Sequence, residues 1–406
     1  MRRGPDQGEV GRIRSADPNG PDGPTVACWE GRFVAVGPRA AVESALEAEG
    51  FPLARFARID AAGGAVTPGL VDPHTHLLFA GTREDELVLR QQGASYLDIL
   101  AAGGGILSTV AATRAASEGE LLAHGRRWLE EMLGHGVTTV EAKSGYGLDL
   151  ETELRLIEVA YRLGREGPVD VVPTWLGAHA VPPEFDDPDA YLEFALGEVL
   201  PEAVQVAEAA DVFLERGAFD AGQARLYLEA CRRAGLVLRL HADQFTEAGG
   251  VDLAIELGAR SVDHLEATRD DGVRALSASD VTAVLLPIAA LVLDRPQAPA
   301  RALADAGAAI ALATDFNPGS AFGESLPLAC ALACTQAGLA PAEALAACTV
   351  NAAHVLGRAD RAGRLAPGYD ADILLLDAPD WRYLAYHVSG GDAAIVVERG
   401  EIAWRR

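Results

Sequence analysis

Short apolar runs at residues 70–71, 137–140, 169–175, 212–214, 236–240, 261–265, 282–286 and 309–313 punctuate the middle of the chain, and helical periodicity fills the gaps between them. Ser117 followed by Glu120 has the form of a capping box ahead of ELLAHGRRWLEEML. Leu150, Leu154, Ile157 and Tyr161 recur at helical spacing, and Glu- and Leu-rich segments at 201–209 and 223–233 read the same way. Eight strand-then-helix units predict an α/β fold of the TIM type, a (β/α)8 barrel whose catalytic side chains project from the C-terminal ends of the strands. A doubly wound open sheet gives the same alternation. The two ends of the chain differ from the middle. TVACWEGRFVAV at 25–36, the run 57–66, ADILLL at 371–376 and AAIVVERGEIAW at 393–404 are β-prone segments separated by turns. They predict one small β domain built from both termini, residues 1–66 and 364–406, with the barrel at 67–363 inserted between them. The first 23 or so residues, rich in Gly, Pro and Asp, are expected to be poorly ordered.

Charge narrows the partners. The 406 residues carry a formal net charge of −25, spread along the chain, and Lys143 is the only lysine. A nucleic-acid partner needs clustered cations to neutralise phosphates, and no such cluster occurs. A composition 49% hydrophobic and 23% charged is that of a globular protein with a large core. The start, MRRGPDQGEVGRIR, has charge but no following apolar h-region, and no stretch of about 18 apolar residues without charges occurs, so neither a signal peptide nor a membrane span is expected. Five cysteines, odd in number and without a Cys-x-x-Cys pair, fit buried thiols in a reducing compartment. A soluble cytoplasmic protein acting on a small molecule, without membrane or nucleic acid, is the expectation.

Five of the nine histidines, His74, His76, His179, His241 and His264, fall at or just past the end of a predicted strand, so barrel geometry gathers them at one mouth. In Asp72-Pro73-His74-Thr75-His76 the two imidazoles are two residues apart and point to the same side of an extended backbone. His241 ends the fifth strand and Asp315 the eighth. Three neutral imidazoles and a carboxylate make an open mononuclear site for zinc or iron with room for a water. Such a metal lowers the pKa of water toward about 7, which points to hydrolysis with metal-activated water as nucleophile. His264 and Asp315 are the candidates for polarising the attacked carbonyl and moving the proton, with either division of roles open. Asp315 in DFNP is also good turn chemistry.

These ligands on successive strands resemble the amidohydrolase superfamily. PGLVDPHTHLLFAG, RQQGASYLDILAAGGGILSTVAATRAAS, GVTTVEAKSGYGLDLETELR, WLGAHAVPPEF, LHADQF and ALATDFNPGSAFGESLPLA together resemble the imidazolonepropionases within it, from about Thr67 to Asp377. The resemblance implies ring opening of 4-imidazolone-5-propanoate to N-formimidoyl-L-glutamate in histidine degradation, one Zn2+ or Fe3+ ion per subunit on His74, His76, His241 and Asp315, and a homodimer. In bimetallic relatives of this architecture the bridging lysine comes from the fourth strand; here Lys143 follows the second predicted strand and the fourth carries Glu215 and no lysine, so the resemblance implies one metal ion. It also implies substrate contacts from Arg83, Tyr146, His179, Gln244, Asn317, Gly319 and Ser320. An arginine suits a propionate because guanidinium pairs bidentately with carboxylate. Gly103-Gly104-Gly105 lacks a following Gly-Lys-Ser and matches an active-site loop of that family, not a phosphate loop. Two other readings compete: a deaminase of a heterocycle with the same ligands, recognised by ammonia release, and a non-catalytic scaffold, recognised by failure to bind stoichiometric metal.

Overall fold

The structure, a computed structural model, describes residues 24–94, 104–389 and 393–406. The order expected of the first 23 residues, and Gly103 of the glycine run, lie outside them. Eight parallel strands run in chain order around one sheet: β4 (Leu70–Asp72), β5 (Val137–Lys143), β6 (Asp170–Ala178), β7 (Ala209–Leu214), β8 (Val237–Ala242), β9 (Ser261–His264), β10 (Thr282–Leu285) and β11 (Ile310–Leu312). The ladder between β4 and β11 is completed just beyond the strands themselves. Asp315 N–H donates to His74 O at 3.0 Å and His76 N–H to Phe316 O at 3.0 Å, with Thr75 and Phe316 paired in parallel. Below that seam the Asp72 carboxylate accepts from Thr314 N at 3.1 Å and Thr314 Oγ1 at 2.6 Å. The barrel therefore closes through the segments that carry the His-x-His pair and Asp315.

Alternation within each strand divides inside from outside. In β5, Thr139, Glu141 and Lys143 share one face and Val140 and Ala142 the other, and all are buried. Helices cover the outer faces with apolar side chains. Ser117 caps the helix Glu118–Gly134 with the predicted capping box, Glu120 N–H donating to Ser117 Oγ and Ser117 N–H to Glu120 Oε2. The helix Leu150–Glu166, capped by Asp149, buries Leu156, Ile157, Ala160 and Leu163. Its apolar face is rotated from the one read in sequence: Tyr161 is 40% exposed and stacks with Arg165. The phenol tip tolerates water, so a tyrosine at helical spacing marks the face edge as readily as its centre.

The β segments expected at the two ends of the chain form two sheets. β1 (Pro24–Trp29) and β2 (Arg32–Pro38) are a separate antiparallel hairpin. β3 (Val66–Pro68), β12 (Ile373–Leu376), β13 (Ala393–Glu398) and β14 (Glu401–Arg405) form a four-stranded antiparallel sheet in the order β14-β13-β12-β3. The hairpin packs Ala27 and Ala35 against Val42 and Leu46, and joins the chain ahead of β12 through Phe33 N–H to Tyr369 O at 2.9 Å and Ala371 N–H to Gly31 O at 2.8 Å. Only Val66 of the predicted run 57–66 is a strand residue. Asp60 Oδ1 accepts from Ala62 N at 2.9 Å and Ala62 takes φ 49°, so a local turn outcompetes the ladder there.

Candidate active site and metal centre

His74 and His76 flank Thr75 at the seam, and His241 is the last residue but one of β8. His74 Nε2 and His76 Nε2 each lie 3.5 Å from Asp315 Oδ1, and His241 Nε2 lies 3.3 Å from His76 Nε2. All four residues are buried. Two groups of potential ligands overlap here among the described residues: His74, His76 and Asp315, and His74, His241 and His264. Ligand atoms about 2.0–2.1 Å from a tetrahedral ion are about 3.3–3.4 Å apart, the spacing these side chains already have. His74 Nε2 is buried with no hydrogen-bond partner, which is costly unless something accepts its lone pair. The charge balance agrees. Among the described residues, the buried Glu141, Asp211 and Asp263 lie in ion-pair range of the buried cations Lys143 and Arg239, and the buried Asp315 adds a further carboxylate, an excess that a divalent cation offsets. The residues present thus fit a single metal ion.

Electrostatics keeps the rings in their ligand form. Burial pushes His74 and His76 well below the ordinary imidazole range, reinforced by Lys143 at His74 and by His179 at His76. Burial also lowers His241 to about 4, against the opposing pull of Asp211. Without a cation, burial raises Asp315 to about 7, offset in part by His264. At His264 burial opposes the charged form, but Glu266, with Oε2 3.5 Å from Nδ1, and Asp315 carry its pKa above the ordinary value. His264 and Leu265 take φ 84° and 74°, and Asp315 φ 55°, a conformation non-glycine residues adopt at a cost of about 1–3 kcal/mol each. The left-handed residues lie at the end of β9 and three residues beyond β11, where the His264 and Asp315 side chains join the cluster.

The remaining candidates lie around this mouth to differing degrees. His179, beyond β6, stacks on His76 with ring centroids 5.0 Å apart, and Tyr146 lies 5.7 Å from His76 and 5.4 Å from His179 by the same measure. Asn317 Oδ1 accepts from Gly319 N and Ser320 N, both at 2.8 Å, folding a turn that brings Ser320 Oγ to 3.4 Å from Asp315 Oδ2. Arg83 is not the surface arginine that its acidic neighbours would allow. Its side chain is 10% exposed, pairs with Glu86 at 2.6 Å and lies against Gly319, where any Cβ would collide with the guanidinium. Gln244 is buried in the turn after β8, three residues beyond His241.

Several supporting residues escaped the sequence reading. Asp263 Oδ2 is 2.6 Å from His74 Nδ1 and Asp211 Oδ2 is 3.1 Å from His241 Nδ1. Burial would raise Asp211, yet His241 and Lys143 draw it below the usual carboxylate range. The buried Glu153 collects N–H groups from Gly145 at 3.0 Å, Gly147 at 2.8 Å and Leu148 at 3.0 Å, fixing the loop that carries Tyr146. Glu86 ties Arg83 to Gly105 N at 2.7 Å. For Asp211 and Asp263 a signal existed: each is an acidic residue inside an apolar strand. Glu153 and Glu86 look like ordinary first-turn helix acids and carry none.

A parallel eight-stranded barrel with three histidines and an aspartate converging at its C-terminal mouth is the architecture of the metal-dependent amidohydrolases, and residues 198–399 match the amidohydrolase family. The chain is 62% identical over 342 residues to a protein named imidazolonepropionase from Rubrobacter xylanophilus, covering 84% of this chain and 82% of that one. It is 48% identical over 375 residues to another from Geobacillus kaustophilus, covering 92% and 88%. The chain belongs to the imidazolonepropionase family. In fold it is similar to a zinc-bound adenosine deaminase from Xanthomonas campestris, with a TM-score of 0.70 at 19% identity over 94% of this chain and 88% of that one. No helix among the described residues is long and apolar enough to cross a membrane.

Proposed function

We propose that the chain hydrolyses the cyclic amide C–N bond of 4-imidazolone-5-propanoate, giving N-formimidoyl-L-glutamate in histidine degradation. The observation that carries this reading, beside family membership, is Arg83: a largely covered guanidinium seated on Gly319, four residues from the candidate ligand Asp315, suits a small ring bearing a propionate. One Zn2+ or Fe3+ ion on His74, His76, His241 and Asp315 would supply Lewis acidity and lower the pKa of water toward about 7. Arg83 pairs with the propionate. Tyr146, His179 and Gln244 hold the ring and its chain, and the turn Asn317, Gly319 and Ser320 adds side-chain and backbone groups. His264, backed by Glu266, donates a hydrogen bond to the carbonyl oxygen under attack. Asp315 accepts the proton of the attacking water and passes it to the ring nitrogen as the C–N bond breaks. The division into a barrel at 67–363 and terminal segments 1–66 and 364–406, a homodimeric state, cytoplasmic location and absence of nucleic-acid partners belong to the same reading.

The test is to add the imidazolone to metal-loaded protein and follow its ultraviolet loss with formation of formimidoylglutamate. Turnover without ammonia is expected. No turnover overturns the proposal, and ammonia release would mark a deaminase instead.

A further inference from the structure

Beneath the histidine cluster the lumen holds a charge that the mouth chemistry does not use. Lys143, the only lysine in the chain, is fully buried at the end of β5. Its Nζ lies 2.6 Å from Asp211 Oδ2, 2.8 Å from Glu141 Oε2 and 3.8 Å from Asp263 Oδ2. The two aspartate oxygens it approaches are those that face the ligand rings: Asp211 Oδ2 toward His241 Nδ1 at 3.1 Å, and Asp263 Oδ2 toward His74 Nδ1 at 2.6 Å. Asp211 holds His241 a second time, its Oδ1 accepting from the His241 backbone N–H at 3.2 Å. Glu141 Oε1 is taken by Arg239 and by Thr174 Oγ1, so Oε2 is the atom left to the ammonium. An ammonium has three donors and no acceptor; here it donates a hydrogen bond to Asp211 Oδ2 and sits in ion-pair range of Glu141 and Asp263. Its compact charge fits between three strands where a planar guanidinium fork would need more room.

We propose that Lys143 is a positioning residue of the metal centre: its ammonium clamps Asp211 and Asp263 so that the rings of His241 and His74 present Nε2 to a single cation. The clamp rests on the metal reading of the cluster. A ligating histidine is oriented, and its tautomer fixed, by the partner of its other nitrogen, and loss of such partners weakens metal binding about 10–100-fold. Here one side chain on β5 reaches two of those partners at once, on β7 and β9, the strands either side of β8.

Zinc titration of chelator-stripped protein, in competition with a chromophoric chelator, tests the clamp on wild type, Lys143→Met, Asp211→Asn and the double variant. Wild type is expected to bind one zinc, and Lys143→Met to bind it about 10–100-fold more weakly. The double variant should lose less than the product of the two single losses, because the lysine acts through the aspartate. Affinity in Lys143→Met equal to or tighter than wild type, or losses that multiply independently, overturns the clamp. Failure of wild type to bind stoichiometric zinc overturns the metal reading itself. A second measurement needs no variant. With one lysine in the chain, protein labelled with 15N at lysine Nζ gives one side-chain ammonium signal, expected to shift when zinc is added. An unmoved signal overturns the proposal, and it decides the matter alone if Lys143→Met does not fold.

Discussion

The helix Leu150–Glu166 meets the barrel wall through Leu156, Ile157, Ala160 and Leu163, while the other side of the same wall is filled by Glu141, Lys143, Asp211, Arg239 and Asp263. Both regions are buried, and both hold the strands in register. They respond differently to damage. Truncating a shell leucine leaves a cavity that neighbours partly fill, at about 2–5 kcal/mol. Removing one lumen charge strands its partner in low dielectric, at about 3–5 kcal/mol, and no side-chain rearrangement restores the pair. Shell packing is graded and local; lumen pairing is all-or-none and runs through shared atoms to His74 and His241. Stability and chemistry are therefore separable in the shell and entangled in the lumen.

The largest effect expected is from His241→Ala, which should bring turnover to background and remove stoichiometric metal, as measured by elemental analysis. Leu156→Ala should lose about 2–5 kcal/mol in denaturant unfolding yet keep its metal and its activity per folded molecule. If Leu156→Ala also shed its metal, the contrast between shell and lumen would fail. Next comes Arg239→Met, which leaves Glu141 without its guanidinium and should cost about 3–5 kcal/mol. Adding Glu141→Gln should recover part of that loss. A double variant no better than Arg239→Met would show that packing, not charge, is what Arg239 supplies.

The same contrast explains what could be read from sequence. Shell and strands were legible because apolar periodicity is local: the eight strand runs, the Ser117 capping box and the strand-end positions of His74, His76, His241, His264 and Asp315 each depend on a few neighbouring residues. Lumen pairings are not local. Asp263 meets His74 across 189 residues and Lys143 meets Asp211 across 68, so each appears in sequence only as an acid or base in an apolar strand. The run 57–66 failed for a related reason, since a two-residue turn at Asp60 competes with ladder pairing that comes from the far end of the chain. Arg83 could be placed only through family resemblance, because nothing near it in sequence reveals that Gly319 will lie beneath it.

Arg83 carries the contrast to the mouth. Arg83→Gln removes a charge-assisted carboxylate contact of about 1.5–3 kcal/mol, so KM should rise about 10- to 150-fold with kcat changed far less. An equal fall in kcat at unchanged KM would mean that the guanidinium acts only on the transition state. Gly319→Ala should act in the same direction by displacing the guanidinium with a methyl group.

The smallest effect lies outside both regions, at Glu398, the last residue of β13. Burial is the main cause that raises its pKa to about 7, helped by Asp372, while Arg399, 2.6 Å away, offsets part of the shift. The ordinary value in the unfolded chain is 4.5, so between the two values the folded state holds a proton that the unfolded state has released. The contribution of Glu398 to stability is therefore most favourable below about 4.5, falls as pH rises through about 7 and is level above that. Glu398→Gln has no such proton, so its denaturation midpoint should decline less than wild type over that interval, with kinetics unchanged because the residue is far along the chain and in a different sheet from every ligand. Parallel pH profiles for the two proteins would show that Glu398 is already well solvated or fully neutralised by Arg399. A change in turnover would instead mean that the four-stranded sheet is coupled to the lumen, and the separation of stability from chemistry would then stop at the shell.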